Sequence, residues 1–311
     1  VRAGAQDSAL PLGALLQLLP RLGLVRRPAN VLFHIGHCGS TMLSRLLAEI
    51  GGVMPLREPP PLFDLAQMHR FFGTPRMGLS RDQWRQLFEF AMACFTRTWG
   101  AAETAMIKPM SDSNNLLAEL LGWHPQCRGV LLYVDLPTYV ASMLTPANRM
   151  ETRMAIAESR SRDFQLLSQG RNLDCDQLDD AQAAAFVWLL QMREFRMALR
   201  AASSSDRLLP VHFDDFLQDP LPSFEHIATF LGLQADRLAL ENILNGKVMH
   251  SYSKSPGNDF SPAQRTEKLK LMAEQHADEI EQAVHWALSF AESHPALLAM
   301  PDELLAQSRI A

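Results

Sequence analysis

The chain has 311 residues, a formal net charge of −5, 47% hydrophobic residues and 20% charged residues. This length suffices for one large α/β domain or two modest ones. The negative charge gives no general affinity for nucleic acid or acidic membranes, so we expect neither as a partner. The four cysteines are widely spaced without a CxxC pair. This spacing argues against a disulfide framework or a zinc knuckle and favours a reducing compartment, so we expect a cytoplasmic protein.

The segment before residue 29 is apolar and interrupted by prolines. It has neither the basic start nor a clear cleavage site of a signal peptide, and the sequence contains no stretch long and apolar enough for a transmembrane helix. We therefore predict a helical extension over residues 1–28 that docks on the protein surface. An interfacial membrane anchor is the alternative.

The stretch from Val31 to Leu47 is the most informative part of the sequence. Its first five residues form an apolar run typical of a buried strand, and residues 36–40 predict a tight turn with two glycines. Apolar residues then recur at helical spacing. A strand, a glycine-containing turn and a helix N-terminus together hold anions, because unpaired backbone N–H groups and the helix dipole converge there. A strand–turn–helix corner without a ligand is the alternative.

This turn is not a Walker A loop. Gly-Ser-Thr at residues 39–41 stands where Gly-Lys-Ser/Thr would be required. Because the lysine that holds a nucleotide β/γ-phosphate is missing, a P-loop kinase is the weakest interpretation.

Residues 37–43, His-Cys-Gly-Ser-Thr-Met-Leu, resemble the phosphosulfate loop of sulfotransferases that use 3′-phosphoadenosine 5′-phosphosulfate (PAPS). That loop typically reads Lys/Arg-Ser-Gly-Thr-Thr-aromatic/Leu-Leu. His37 stands where the family has a lysine or arginine. The resemblance assigns donor binding to Cys38, Gly39, Ser40, Thr41 and Met42.

Two further blocks carry the same resemblance. Residues 135–144 follow a clear predicted strand and resemble the family's 3′-phosphate motif, with Ser142 at the serine position and Val134 at the arginine position. Residues 207–233 combine a strand, Asp-Asp-Phe-Leu, Asp-Pro and Ile-Ala-Thr-Phe-Leu-Gly-Leu. This longest block is scaffold, and it is the most specific part of the resemblance.

Two residues are candidates for catalysis. Glu58 follows a short predicted strand, and ligands of an open parallel sheet lie beyond the carboxyl ends of the strands. The resemblance suggests Glu58 as the base that deprotonates the acceptor, whereas a surface pair with Arg57 is the alternative. Protonated His37 would stabilise charge on the bridging oxygen. Because an ordinary imidazole is mostly neutral at pH 7, this role requires a nearby anion.

Several cations are further candidates for binding the donor. Lys108 ends a predicted strand and so faces the ligand edge, unless it is a solvated loop lysine. Arg149 could replace the missing arginine of the 3′-phosphate motif. Lys254 and Arg265 lie in a predicted loop, residues 249–265, where the family has a basic loop over the 3′-phosphate.

The resemblance covers residues 29–291 and implies an α/β, three-layer P-loop-like fold with a central, mostly parallel sheet flanked by helices. Helical insertions are predicted at 60–100 and 145–203, with a tail over 292–311. The apolar residues of 60–100 belong mainly to the core, and some line an acceptor pocket. The sequence leaves the oligomeric state open.

The implied reaction is sulfuryl transfer from PAPS, without a metal, to a hydroxyl or amine of a small-molecule or peptide acceptor. The alternative is a non-catalytic relative that keeps the fold as a nucleotide-binding or interaction module. This alternative is suggested by His37 and Val134, which stand at two positions where the family has basic residues that contact the donor.

Overall fold

The computed structural model describes residues 10–25, 27–100, 103–168, 173–201, 205–250, 262–294 and 297. Their strands are β1 (Ala29–His34), β2 (Val53–Arg57), β3 (Thr104–Lys108), β4 (Arg128–Tyr133) and β5 (Leu208–His212). The strands form one sheet in the order β2-β3-β1-β4-β5, and each neighbouring pair is parallel. The predicted α/β class, with a mostly parallel central sheet flanked by helices, is confirmed.

Helices account for most of the remaining described residues. The α-helices are α1 (Leu12–Leu18), α2 (Ser40–Ala48), α3 (Pro60–Arg70), α4 (Arg81–Phe95), α5 (Leu117–Trp123), α6 (Leu136–Met143), α7 (Pro146–Ala155), α8 (Ser161–Leu167), α9 (Asp180–Ala201), α10 (Phe213–Gln218), α11 (Pro220–Phe230), α12 (Arg237–Leu244), α13 (Pro262–Gln275) and α14 (Ala277–Ser293). A π-helical segment, Ile156–Arg160, joins α7 to α8. None of the described helices combines the length and apolar composition needed to cross a membrane.

The central strands are buried on both faces, as their apolar runs predict. Every residue of β1 is buried, as are five of the six residues of β4. The edge strands are more accessible, since no residue of β2 is buried and only the first residue of β5 is. This difference follows from the helices, which cover both faces of a parallel sheet at its centre and leave its edges open.

The strand order sets the position of the candidate site. From β1 the chain passes through α2 to the edge strand β2, whereas from β4 it runs toward the opposite edge strand, β5. The connections that leave β1 and β4 therefore diverge, although these two strands are neighbours. Such a switch point opens a crevice beyond the carboxyl ends of the strands, where ligands of open α/β sheets bind.

Two predicted regions differ in detail from the structure. The region before residue 100 divides into α3 and α4, because Gly73 has a φ of +76° and Ser80 begins a new helix with a capping box to Gln83. Near the C-terminus, two helices, α13 and α14, meet at His276. Arg265 therefore lies on α13 and not in the predicted loop, and Lys254 lies outside the described residues.

Several of the aromatic residues after residue 60 form a packed cluster, whereas Trp99 is exposed. Trp84 is fully buried and stacks on Phe88, and Phe72 and Trp123 contact it at an angle. The Trp84 indole N–H donates to the carbonyl of Leu65 at 3.0 Å. These contacts place Trp84 and Phe88 in the core between α3 and α4. The sequence predicts that most apolar residues of this region belong to the core.

Candidate functional site

His34 is the last residue of β1, and its side chain links the end of β1 to the end of β3. Nδ1 of this buried imidazole accepts a hydrogen bond from the N–H of Gly36 at 3.0 Å. Its Nε2 lies 3.1 Å from the carbonyl oxygen of Pro109 and so carries the proton that is donated there. The start of the loop after β1 is therefore held against the end of β3.

The loop between β1 and α2 turns through a left-handed backbone. Gly36 and Gly39 have φ of +81°, and His37 has φ of +48°. Glycine adopts this conformation without steric cost, whereas it is uncommon for a residue with a side chain. Gly39 is the N-cap of α2, and it has no side chain that could accept a hydrogen bond from the first turn of that helix. The first N–H groups of α2 thus lack partners within the helix and face outward as donors.

Cys38 points away from this donor surface. Its side chain is fully buried, and Sγ donates to the carbonyl of Leu132 at 3.4 Å. Burial raises the pKa of the Cys38 thiol to about 11, although backbone hydrogen bonding and the charge of Lys108 oppose the rise. Cys38 could therefore serve a ligand only through its backbone.

The loop is pressed against an aromatic ring from the other side of the switch point. A Cβ atom placed on Gly39 would lie 2.0 Å from a ring carbon of Phe213, the first residue of α10. Only glycine fits at that distance. The Arg265 guanidinium lies over the same ring, 5.0 Å from its centroid, and pairs with Asp214. Residues after β1, after β5 and on α13 thus meet at one place.

A buried ion network supports the turn beneath Gly36. A Cβ atom on Gly36 would lie 3.5 Å from Ser111 Oγ. Arg160 donates to the carbonyl of Ser111 at 3.3 Å and pairs with Asp112 at 2.9 Å, while Arg70 donates to the carbonyl of Asp112 at 2.6 Å. Arg160 belongs to the π-helical segment, a geometry frequent near functional sites.

A cavity of about 570 Å³ opens at the switch point. Its size suits a nucleotide-sized ligand. Of the residues predicted from the sequence, its lining brings together His37, Gly39, Ser40, Thr41, Met42, Ser142 and Arg265. The N-terminal turn of α2 supplies backbone donors and two hydroxyl groups, and α13 adds Lys268 beside Arg265. The arrangement suits an anionic ligand with several acceptor oxygens.

His37 has a carboxylate partner. Its Nε2 lies 3.1 Å from Oε1 of Glu151 on α7. The His37 side chain is 11% exposed, and that of Glu151 is 58% exposed. A charge-stabilising role for His37 requires a nearby anion, and Glu151 is one.

Glu58 and Lys108 form an ion pair at the carboxyl ends of β2 and β3. The Glu58 N–H also donates to the carbonyl of Lys108 at 2.6 Å, and Glu58 has φ of +51°. Lys108 is buried, whereas the carboxyl side chain of Glu58 is 44% exposed. Neither residue lines the cavity. Their pair leaves the carboxylate, and not the ammonium group, accessible from solution.

The structure does not bring Arg149 to the cavity. The Arg149 guanidinium donates to the carbonyl of Leu144 at 2.7 Å and pairs with Asp180 at 3.0 Å. In this conformation Arg149 therefore does not replace the missing arginine as predicted, because its guanidinium pairs with the Asp180 carboxylate on α9. Val134 itself is fully buried, and its carbonyl accepts the indole N–H of Trp188 at 3.0 Å.

Three residues of the site were not predicted from the sequence. Lys268 lies one helical turn after Arg265, and the i, i+3 spacing of two cations in a predicted helix could have indicated it. Phe213 belongs to the conspicuous block after β5, although nothing in that block indicates contact with Gly39. No sequence signal marks Glu151, which is 114 residues from His37 along the chain.

No protein-family model and no curated protein matches the chain. Solved structures do. The sulfotransferase domain from the curacin biosynthetic pathway is 12% identical, over 81% of this chain and 99% of that domain, with a TM-score of 0.48. Sulfotransferase STF1 from Mycobacterium tuberculosis is 17% identical, over 86% and 80%, with a TM-score of 0.43. Mouse sulfotransferase SULT7A1 complexed with PAP is 13% identical, over 88% and 93%, with a TM-score of 0.41. These structures carry the family name that the sequence motifs indicate.

Replacing Gly39 tests the contact with Phe213. We expect Gly39→Ala to lower the free energy of unfolding by about 2–5 kcal/mol, of which about 1–2 comes from the left-handed backbone and about 1–3 from the collision. Denaturant titration measures the loss. In a Phe213→Ala background the Gly39→Ala cost should fall to the backbone contribution alone.

The matched control is Gly122→Ala in α5, where a Cβ atom meets nothing within 4 Å. This change should leave stability equal or slightly higher, because alanine favours a helix by up to about 1 kcal/mol. A Gly39→Ala loss no larger than that of the control would contradict the packing contact.

Thiol labelling tests the inward orientation of Cys38. At about pH 8, Ellman's reagent should modify exposed Cys94 first and leave Cys38 protonated and unreactive until the chain unfolds. Cys94→Ser should remove the fast phase. Modification of Cys38 at the rate of Cys94 in the folded protein would show that the loop is open.

Proposed function

We propose that this protein is a sulfotransferase that moves a sulfuryl group from PAPS to a hydroxyl or amine of a small-molecule or peptide acceptor. The observation that carries the proposal is the cavity at the switch point. There, the uncapped first turn of α2 and two cations of α13 face a single space of about 570 Å³. These are the donors that an elongated, multiply anionic nucleotide requires.

The residues present fit the two anionic ends of PAPS. The N–H groups and hydroxyls of Ser40 and Thr41 would hold the phosphosulfate, since they lie at an uncapped helix N-terminus. Ser142, Arg265 and Lys268 line the same cavity and would hold the 3′-phosphate. Arg265 is already positioned by Asp214, so its guanidinium is oriented before a ligand arrives.

When bound, PAPS supplies a sulfuryl group on a good leaving group, and the protein's part is positioning and electrostatic stabilisation. The loop donors stabilise negative charge on the departing phosphate. His37, beside Glu151, stabilises charge on the bridging oxygen. Glu58 accepts the acceptor's proton through its exposed carboxylate, which Lys108 holds in place.

A non-catalytic nucleotide-binding module is the second candidate. It is favoured by His37 at a position where the related loops carry a lysine or arginine, and by buried Val134 at the family's arginine position. Because Arg149 pairs with Asp180, it does not compensate for the second loss in this conformation.

Ligand-induced thermal shifts separate these functions. We expect adenosine 3′,5′-bisphosphate to raise the melting temperature, because binding to the folded state alone stabilises it by mass action. ATP with magnesium should have a smaller effect. A shift with ATP–magnesium alone would support a P-loop kinase, and no shift with either nucleotide would contradict the proposed donor site.

Substitution of Glu58 tests catalysis separately from donor binding. Glu58→Gln should lower kcat by about 10²–10⁴-fold, the usual contribution of a general base, with donor affinity nearly unchanged. The Kd of adenosine 3′,5′-bisphosphate and the rate of sulfuryl transfer to a screened acceptor are the two measurements. Comparable losses in both would remove Glu58 from the mechanism, and unchanged turnover would do the same.

Glu49→Gln is the matched control, because Glu49 is an exposed carboxylate at the end of α2, outside the cavity lining. It should change neither measurement. Since Glu58→Gln leaves buried Lys108 without its counter-charge, the unfolding free energy of each variant is measured alongside.

A further inference from the structure

The contact between His37 and Glu151 is not explained by anion binding alone. A carboxylate at the rim of an anion site weakens binding unless its charge is compensated. Here its neighbour, at 3.1 Å, is a histidine, the side chain whose charge changes near neutral pH. The inference that follows rests on the proposed function, since it concerns the same cavity.

The backbone holds His37 in an unusual way. Its φ of +48° lies in the left-handed region, a strained conformation for a residue with a side chain. The neighbouring Gly36 is fixed by His34, and Gly39 is fixed by Phe213. The imidazole is therefore held at the cavity by its surroundings, and Glu151 restrains its outer nitrogen.

Charged and titratable groups approach His37 from each surrounding element. Glu151 lies on α7, Arg265 and Lys268 line the cavity from α13, and Lys108 lies at the end of β3, where its charge acts on Cys38. On α6, burial raises the pKa of Tyr139, Arg160 opposes the rise, and Glu151 and Cys38 add to it. Glu151 thus acts on buried Tyr139 and also contacts His37.

The charge of the pair depends on one proton. With a protonated imidazole, the pair carries no net charge, and its positive member is the one that belongs to the anion loop. With a neutral imidazole, the pair carries one negative charge beside the anion cavity. An incoming anion is attracted in the first state and repelled in the second.

We propose that Glu151 is a positioning residue that orients the His37 imidazole at the loop, and that donor binding is coupled to uptake of one proton by His37. The proton comes from solvent and goes to the imidazole ring, so no bond to the nucleotide is involved. A lysine at this position would remain charged over the same pH range and would bind without proton uptake.

Calorimetric titration with adenosine 3′,5′-bisphosphate tests this coupling. Titrations in buffers with different ionisation enthalpies give the number of protons taken up per nucleotide. For the unmodified chain we expect uptake approaching one proton and, over part of the range from about pH 6 to about pH 8.5, affinity that falls toward tenfold per pH unit. His37→Lys should bind with no such uptake, and its affinity should follow only the ligand's own ionisation.

Glu151→Gln keeps a hydrogen-bond acceptor but removes the charge. Its affinity should fall at a lower pH than that of the unmodified chain, because the opposite charge beside the imidazole is gone. The matched control is Glu281→Gln on α14, where Glu281 faces His285 at 3.8 Å on an exposed surface away from the cavity. It should leave both the proton uptake and the pH profile unchanged.

Binding with the same pH profile in the unmodified chain and in His37→Lys would overturn this inference while leaving the proposed function intact. An unchanged profile in Glu151→Gln would remove Glu151 from the coupling. If neither the unmodified chain nor His37→Lys binds the bisphosphate at any pH in the range, the proposed donor site itself is wrong, and the inference with it.

Discussion

The approach of the Phe213 ring to Gly39 is the contact on which the candidate site depends. Because the ring occupies the space of a side chain at residue 39, the turn after β1 requires glycine there. Glycine also adopts the left-handed φ of +81° at this position without steric cost. That turn sets the direction of α2 and exposes the N–H groups of its first turn. The Arg265 guanidinium lies over the face of the same ring and lines the cavity. One close contact thus aligns the helix dipole, the loop and a cation from a distant part of the chain.

Much of the architecture follows from the sequence, because its strands are apolar runs bounded by turn residues. The run before Gly36 and the run from residue 129 become the two central strands, and their loops meet at the switch point. Glu58 and Lys108 were each placed at the ligand edge. The sequence does not predict their ion pair, because the pair depends on β2 and β3 being neighbours. The hydrophobic pattern of each strand does not reveal the order of the strands in the sheet.

Arg149 shows where sequence reasoning fails. Its position after the 3′-phosphate motif suggested a phosphate contact, but α7 packs against α9 and brings Asp180 within 3.0 Å. Arg149 pairs with the carboxylate that helix packing brings close to it, and that carboxylate, on Asp180, is thirty-one residues away along the chain. Val134 is constrained differently, because its side chain is fully buried and its carbonyl accepts the indole N–H of Trp188. An arginine at this position would place a charge in the core, which is costly unless an anion pairs with it.

The helix α13 supplies Arg265 and Lys268, yet none of its described side chains from residue 264 to residue 275 is buried. The helix is therefore attached to the rest of the protein by partly exposed contacts, which include the ion pair between Arg265 and Asp214. Segments with few buried apolar contacts open locally at small free energy, long before the sheet does. The amide hydrogens of α13 should consequently exchange with solvent on a much shorter timescale than those of β1. The two cations that α13 brings to the cavity would therefore move with a segment that opens more readily than the sheet.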